Sequence, residues 1–135
     1  MKKLIFQVSV GKPSKLYQTC IDSVARYCEK YGITHKVLYE PKLKIVPDPN
    51  RNGRSKEAIS RLGYMPIYEK ENAFEYFGEY DQVAIVDSDI YIKPNAPDIF
   101  LDLPQQYDFG GVLERDLPLN KKYQNKIRKY SQSAF

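Results

Sequence analysis

Residues 3–40 read KLIFQVSVGKPSKLYQTCIDSVARYCEKYGITHKVLYE, and the architecture of the chain is already visible in them. Lys3–Val10 is rich in β-branched and aromatic residues, the composition of a buried strand, with one polar residue, Gln7, interrupting the apolar run. Gly11-Lys12-Pro13-Ser14 breaks the strand and places Ser14 as the cap of a helix. Leu16, Cys20, Val24, Tyr27, Cys28 and Tyr31 recur at helical spacing, and Gly32 stands where a helix takes a left-handed residue to stop. Thr34–Glu40 reads as a second strand. Strand, helix and strand in succession form a βαβ unit, which requires a parallel pair and a crossover.

Beyond it, Pro41–Arg61 changes character. It holds Pro41, Pro47, Pro49, Asn50, Asn52 and Gly53 with six basic residues, and is expected to be a long functional loop, a flap over a site. Helical periodicity resumes at Pro66, a good first helical residue, with Ile67, Phe74 and Phe77 on one face and Ala73, Tyr76 and Tyr80 on its flank. Gln82–Val86 follows as an apolar strand and runs straight into Asp87-Ser88-Asp89 and Ile90-Tyr91-Ile92. A helical turn is expected at Asp98–Leu103, a strand at Tyr107–Leu113 and a terminal helix at Asn120–Tyr130. The expected fold is α/β, a mostly parallel central sheet with flanking helices. Residues 1–135 are read as one domain with a basic helix and tail at 119–135.

A chain of 135 residues with 42% hydrophobic and 28% charged residues is large enough for one core and too apolar for a disordered protein. No apolar run approaches the ~18 residues of a membrane span. The basic start is not followed by a small-residue cleavage site, so a cytoplasmic protein is expected. The net charge of +4 is local: Lys121, Lys122, Lys126, Arg128 and Lys129 carry the excess, and residues 1–116 balance to −1. That pattern argues against a nucleic-acid-binding domain, which spreads its charge over a face. Cys20 and Cys28, on one helix, lie roughly 12 Å apart along its axis, beyond the ~6.8 Å reach of a disulfide. Both are read as small buried residues.

Asp87 and Asp89 concentrate the chemistry. Ligands of open α/β sheets bind outside the carboxyl ends of the strands, where this pair is expected. Two carboxylates so close repel, and a cation offsets that cost. Their hard oxygens suit Mg²⁺ or Mn²⁺, which bridge one or two carboxylates to phosphate oxygens, and the small Ser88 leaves room for a ligand.

Tyr80–Ile92 (YDQVAIVDSDIYI) resembles the metal-binding segment of GT-A glycosyltransferases, the family 8 type above all. In that family a helix ends in an aspartate, a strand follows, and an Asp-x-Asp closes it. The resemblance implies a glycosyltransferase that moves sugar from a nucleoside-diphosphate sugar, UDP-sugar favoured, with Mn²⁺ or Mg²⁺ on Asp87 and Asp89. It implies donor contacts from Asp87 and Ser88, from Lys70 on the preceding helix, and from Val8 and Ser9 beside the nucleobase. It covers roughly residues 1–116 and implies the nucleotide-binding half of such a domain. A third metal ligand, commonly histidine, has no counterpart, since the one histidine, His35, stands on an early strand. No catalytic base is identified; Glu114 and Asp116 are the acid candidates, and the acceptor, saccharide, lipid or protein, is unspecified. A homo-oligomer is compatible with these residues.

Two other readings compete. A non-catalytic nucleotide-sugar-binding module would use the same residues without transfer. A haloacid-dehalogenase-type phosphatase also places Asp-x-Asp after an apolar strand, but on its first strand and with Thr or Val where Tyr91 stands. No Gly-x-Gly-x-x-Gly follows the first strand, no P-loop occurs, and no Gly-x-Ser-x-Gly elbow is present.

Overall fold

The computed structural model describes residues 1–46, 53–102, 110, 121, 122 and 125. The chain groups into two compact units, Met1–Phe100 and Leu101–Phe135, and the described residues lie almost wholly in the first. The described chain runs β1 (Lys3–Val8), α1 (Lys15–Tyr31), β2 (Thr34–Leu38), α2 (Gly53–Leu62), a 3₁₀ helix (Pro66–Tyr76), β3 (Gln82–Ile85) and a 3₁₀ turn (Ile99–Leu101). The three strands form one sheet in the order β2-β1-β3, parallel throughout. The protein is therefore α/β, with a parallel sheet. Among the described residues no helix is long and apolar enough to cross a membrane.

α1 begins and ends as its sequence dictates. The Ser14 hydroxyl accepts from the Tyr17 amide at 3.3 Å. At the other end Gly32 takes φ 63°, the left-handed region that a Cβ disfavours. The Ile33 amide then donates back to Cys28 O and Gly32 to Glu29 O, and Ile33 and Cys28 pack in one core cluster.

β1 lies between two strands, so both of its edges are paired, and helical segments cover both of its faces. Ile5 packs with Val24, Tyr27, Cys28 and Phe100 on the α1 side. Leu4 and Phe6 pack with Ala73 of the 3₁₀ helix on the other. Each such apolar side chain contributes about 1.5–3 kcal/mol when fully buried. Cys20 and Cys28 are free and buried, and burial pushes the Cys28 thiol up to about 11.

Polar side chains hold the irregular segments. From α1, Ser23 Oγ accepts from the Ile92 amide at 2.9 Å, and Tyr27 Oη accepts from Ile99 N and donates to Pro97 O, both at 2.8 Å. Tyr31 Oη donates to Ala96 O at 2.7 Å. Residues 92–99 are thereby strapped along α1. Lys3 pairs with the buried Asp98 at 2.8 Å.

The helix after Pro66 corrects the expectation. It is 3₁₀, and Ile67, Phe74 and Phe77, read as one apolar face, are exposed. Its buried residues are Glu69, Asn72 and Ala73. The Glu69 carboxylate, fully buried, accepts from the amides of Lys42, Leu43 and Lys44 at 2.7–3.1 Å and from Asn72 Nδ2 at 2.9 Å. A buried anion must be hydrogen-bonded, and a run of amides meets that need only if this face turns inward.

Other boundaries also shift. Pro41–Arg61 is not all loop: α2 occupies Gly53–Leu62. The strands are shorter than expected, β1 stopping at Val8, β2 at Leu38 and β3 at Ile85. Leu16, placed on the apolar stripe of α1, is exposed. The turn expected at Asp98–Leu103 is Ile99–Leu101. Of the terminal helix, Lys121, Lys122 and Asn125 are helical. The rest of Asn120–Tyr130, the strand expected at Tyr107–Leu113 (Gly110 apart) and the acid candidates Glu114 and Asp116 lie outside the described residues.

Burial alone would raise the pKa of Glu69, but the Lys44, Lys42 and Leu43 amides and Asn72 outweigh it and hold the carboxyl below its ordinary range. Its contribution is therefore present above the unfolded glutamate range and is lost as pH falls through the folded value. Glu69→Gln is expected to lower unfolding free energy at neutral pH by about 2–3 kcal/mol and to flatten its acid dependence. Urea denaturation between acid and neutral pH measures both; equal curves would remove Glu69 as the anchor.

Candidate functional site

The sheet's winding creates the site. From β1 the chain crosses over α1 to β2 on one side, and later returns to place β3 on the other. Outside the carboxyl ends of β1 and β3 the two directions diverge and leave a crevice. A cleft of about 690 Å³ opens there.

Its floor is Val8, Ser9 and Val10 at the end of β1. One wall is the turn into α1, with Lys12, Ser14 and Tyr17; Gly11 allows that turn by taking φ 80°. The opposite wall is Arg61 and Leu62 from the last turn of α2 with Ile67 and Lys70 from the 3₁₀ helix. Asp87, Ser88 and Asp89 complete it at the end of β3.

Asp87-Ser88-Asp89 is a tight turn. The β3 ladder ends where Val86 N donates to Phe6 O at 3.0 Å, and Ile90 N then donates to Asp87 O at 3.1 Å. The Asp87 carboxylate accepts from the Lys70 ammonium, which reaches it across the cleft. Lys70 thus pairs with Asp87 rather than with its helix neighbours Glu69 and Glu71. The cation that the two carboxylates require is supplied in part by the chain itself.

Behind the turn, the buried Gln7 donates from Nε2 to Asp87 O at 3.2 Å, and its Oε1 meets His35 Nε2 at 2.8 Å. Desolvation lowers the pKa of His35 and favours its neutral ring. His35 does not line the cleft.

Val8, Ser9, Lys70, Asp87, Ser88 and Asp89, the expected metal and donor contacts, line this one cleft. Sequence reasoning missed Lys12, Tyr17, Arg61 and Ile67. Lys12 could have been found from its place in the turn directly after the first strand, and Arg61 from the basic stretch read as a flap. Ile67 was placed on one helical face with Phe74 and Phe77 and carried no signal for a cleft.

The donor set of Asp87 and Asp89 is hard oxygen on one exposed turn, which suits Mg²⁺ or Mn²⁺ completed by phosphate oxygens and water. Among the described residues no group of three His, Cys, Asp or Glu side chains gathers to bind a metal by protein alone. Fold and cleft together define an α/β protein with a strand-end crevice carrying both acidic and basic groups. No family model, curated protein or solved structure compared with the chain matches it.

Lys70 and Asp87 are both partly exposed, with side-chain accessibilities of 33% and 53%, so solvent screens their attraction. A double-mutant cycle with Lys70→Met and Asp87→Asn is expected to give a coupling of about 0.5–1 kcal/mol in metal-free protein. Urea unfolding of the four proteins measures it, and zero coupling would mean that the pair does not form in solution.

Proposed function

We propose that the Met1–Phe100 unit binds a nucleoside-diphosphate sugar in this cleft and serves a GT-A-type glycosyl transfer to an acceptor. One observation carries the reading: an Asp-x-Asp turn, an opposing lysine and the end of the first strand converge on one crevice at the sheet's switch point. The Asp-x-Asp resemblance to family 8 enzymes supplies the reaction type.

On this reading Asp87 and Asp89 would hold Mn²⁺ or Mg²⁺, which would supply Lewis-acid stabilisation of negative charge on the diphosphate. Val8 and Ser9 lie on the floor beside the nucleoside, and Ser88 leaves space at the diphosphate. Lys70 is held into the cleft by Asp87 and is placed to share its charge with a phosphate oxygen. Arg61 and Lys12 add positive charge from the two walls. The motif stands on β3 rather than on the first strand, which favours the transferase over the phosphatase alternative.

UDP-, GDP-, ADP- and CDP-sugars titrated with and without Mn²⁺ test the reading. Affinity that requires the metal is expected, and equal binding in chelator would overturn it. Transfer or hydrolysis assays on the ligand that binds then separate an enzyme from a non-catalytic binding module.

Asp89→Asn keeps the volume of the side chain and removes one charge from a repelling pair. It is expected to leave the stability of the metal-free protein unchanged or slightly raised while abolishing metal-dependent nucleotide binding. Asp89→Ala, melted alongside, separates this from a turn-capping role, whose loss typically costs ~1 kcal/mol. An Asn variant that binds metal and nucleotide normally would remove Asp89 from the site.

A further inference from the structure

Gln7 is a fully buried polar residue in the middle of an apolar strand, following Leu4, Ile5 and Phe6. Such a side chain is destabilising unless both ends of its amide are bonded. Both are. Asp87 O can only accept, so it is the amide nitrogen of Gln7 that faces it at 3.2 Å. The amide oxygen is therefore left facing His35, at 2.8 Å, and His35 Nε2 must carry the proton that fills this contact.

Asp87 O lies just past the last rung of the β3 ladder, where Val86 N meets Phe6 O. The sheet has no further backbone amide to hold it. Its partners are Ile90 N, which closes the Asp-x-Asp turn, and Gln7 Nε2, which ties that turn to the central strand.

We propose that Gln7 is a positioning residue for the Asp87-Ser88-Asp89 turn, with His35 fixing the direction of its amide. The inference rests on the reading of Asp87 and Asp89 as the metal–diphosphate site. The chain's one histidine then serves the site from behind it, two bonds removed, and is not a ligand. Neutral His35 with its proton on Nε2 and the imidazolium both donate to Gln7, so the arrangement does not require His35 to change charge.

The test uses ¹⁵N-labelled full chain and the variants Gln7→Leu and His35→Phe. In Gln7→Leu the Ile90 amide is expected to exchange with solvent about five- to tenfold faster, while the Val86 amide in the ladder is unchanged. His35→Phe keeps the Gln7 donor but frees its orientation, and a smaller increase at Ile90 is expected. Mn²⁺ affinity in the presence of UDP is expected to fall roughly tenfold or more in Gln7→Leu, the effect of removing a partner that orients a ligand.

Ile90 exchange unchanged in a folded Gln7→Leu would overturn the proposal. Should that variant not fold, His35 in the wild type decides: a protonated Nε2 in its ¹⁵N spectrum supports the chain of bonds, and a bare Nε2 overturns it. A wild type that binds no Mn²⁺ with UDP defeats the reading of the Asp pair, whereas the exchange at Ile90 still reports on Gln7.

Discussion

The unit depends on β1 having a parallel partner on each side. Parallel strands cannot be joined by a hairpin, so the chain must leave the sheet and return each time it adds one. It does so over opposite faces, α1 packing against Ile5 and the 3₁₀ helix against Leu4 and Phe6. Coverage of both faces explains why β1 is apolar almost throughout. The reversal of direction around it explains where the cleft lies. The location of the site is thus a property of strand order before it is a property of any side chain in it.

A second layer of constraint is polar. Ser23, Tyr27 and Tyr31 bond the main chain of residues 92–99, and Glu69 bonds that of residues 42–44. These segments have no ladder or helix of their own to satisfy their amides and carbonyls, so side chains from regular elements do it. Both anchored segments flank the cleft-forming elements. The one following β3 leads away from Asp89, and the one following β2 precedes α2, which brings Arg61 to the wall.

The parts of this structure that were legible in the sequence are those governed by local chemistry. Ser14 and Gly32 bound α1 because capping and a left-handed stop depend on a few neighbouring residues. The strand-to-Asp-x-Asp passage was legible because apolar continuity followed by paired carboxylates is unusual at a strand end. The 3₁₀ helix was misread for a physical reason. Apolar spacing grouped Ile67, Phe74 and Phe77 on one face, but the three amides awaiting a carboxylate near residue 43 are invisible in sequence and turn Glu69 inward. α2 was missed because proline, asparagine and glycine before it dominate the local signal. Gln7 was visible only as an interruption; its partners, His35 and Asp87, are 28 and 80 residues away.

The strand order also sets the sequence of events as the chain is made. The residues of β2 are made well before those of β3, and β3 can join β1 only once Gln82–Ile85 has been synthesised. At about 5–20 residues per second, the chain between Leu38 and Gln82 takes roughly 2–9 s to appear. Through that interval β1 offers a row of unpaired amides and carbonyls on its open side, the kind of edge on which foreign strands add and aggregation begins. The cleft does not yet exist, because its Asp-x-Asp lip belongs to the missing strand. Closing that edge and completing the cleft therefore both wait for the same stretch of chain.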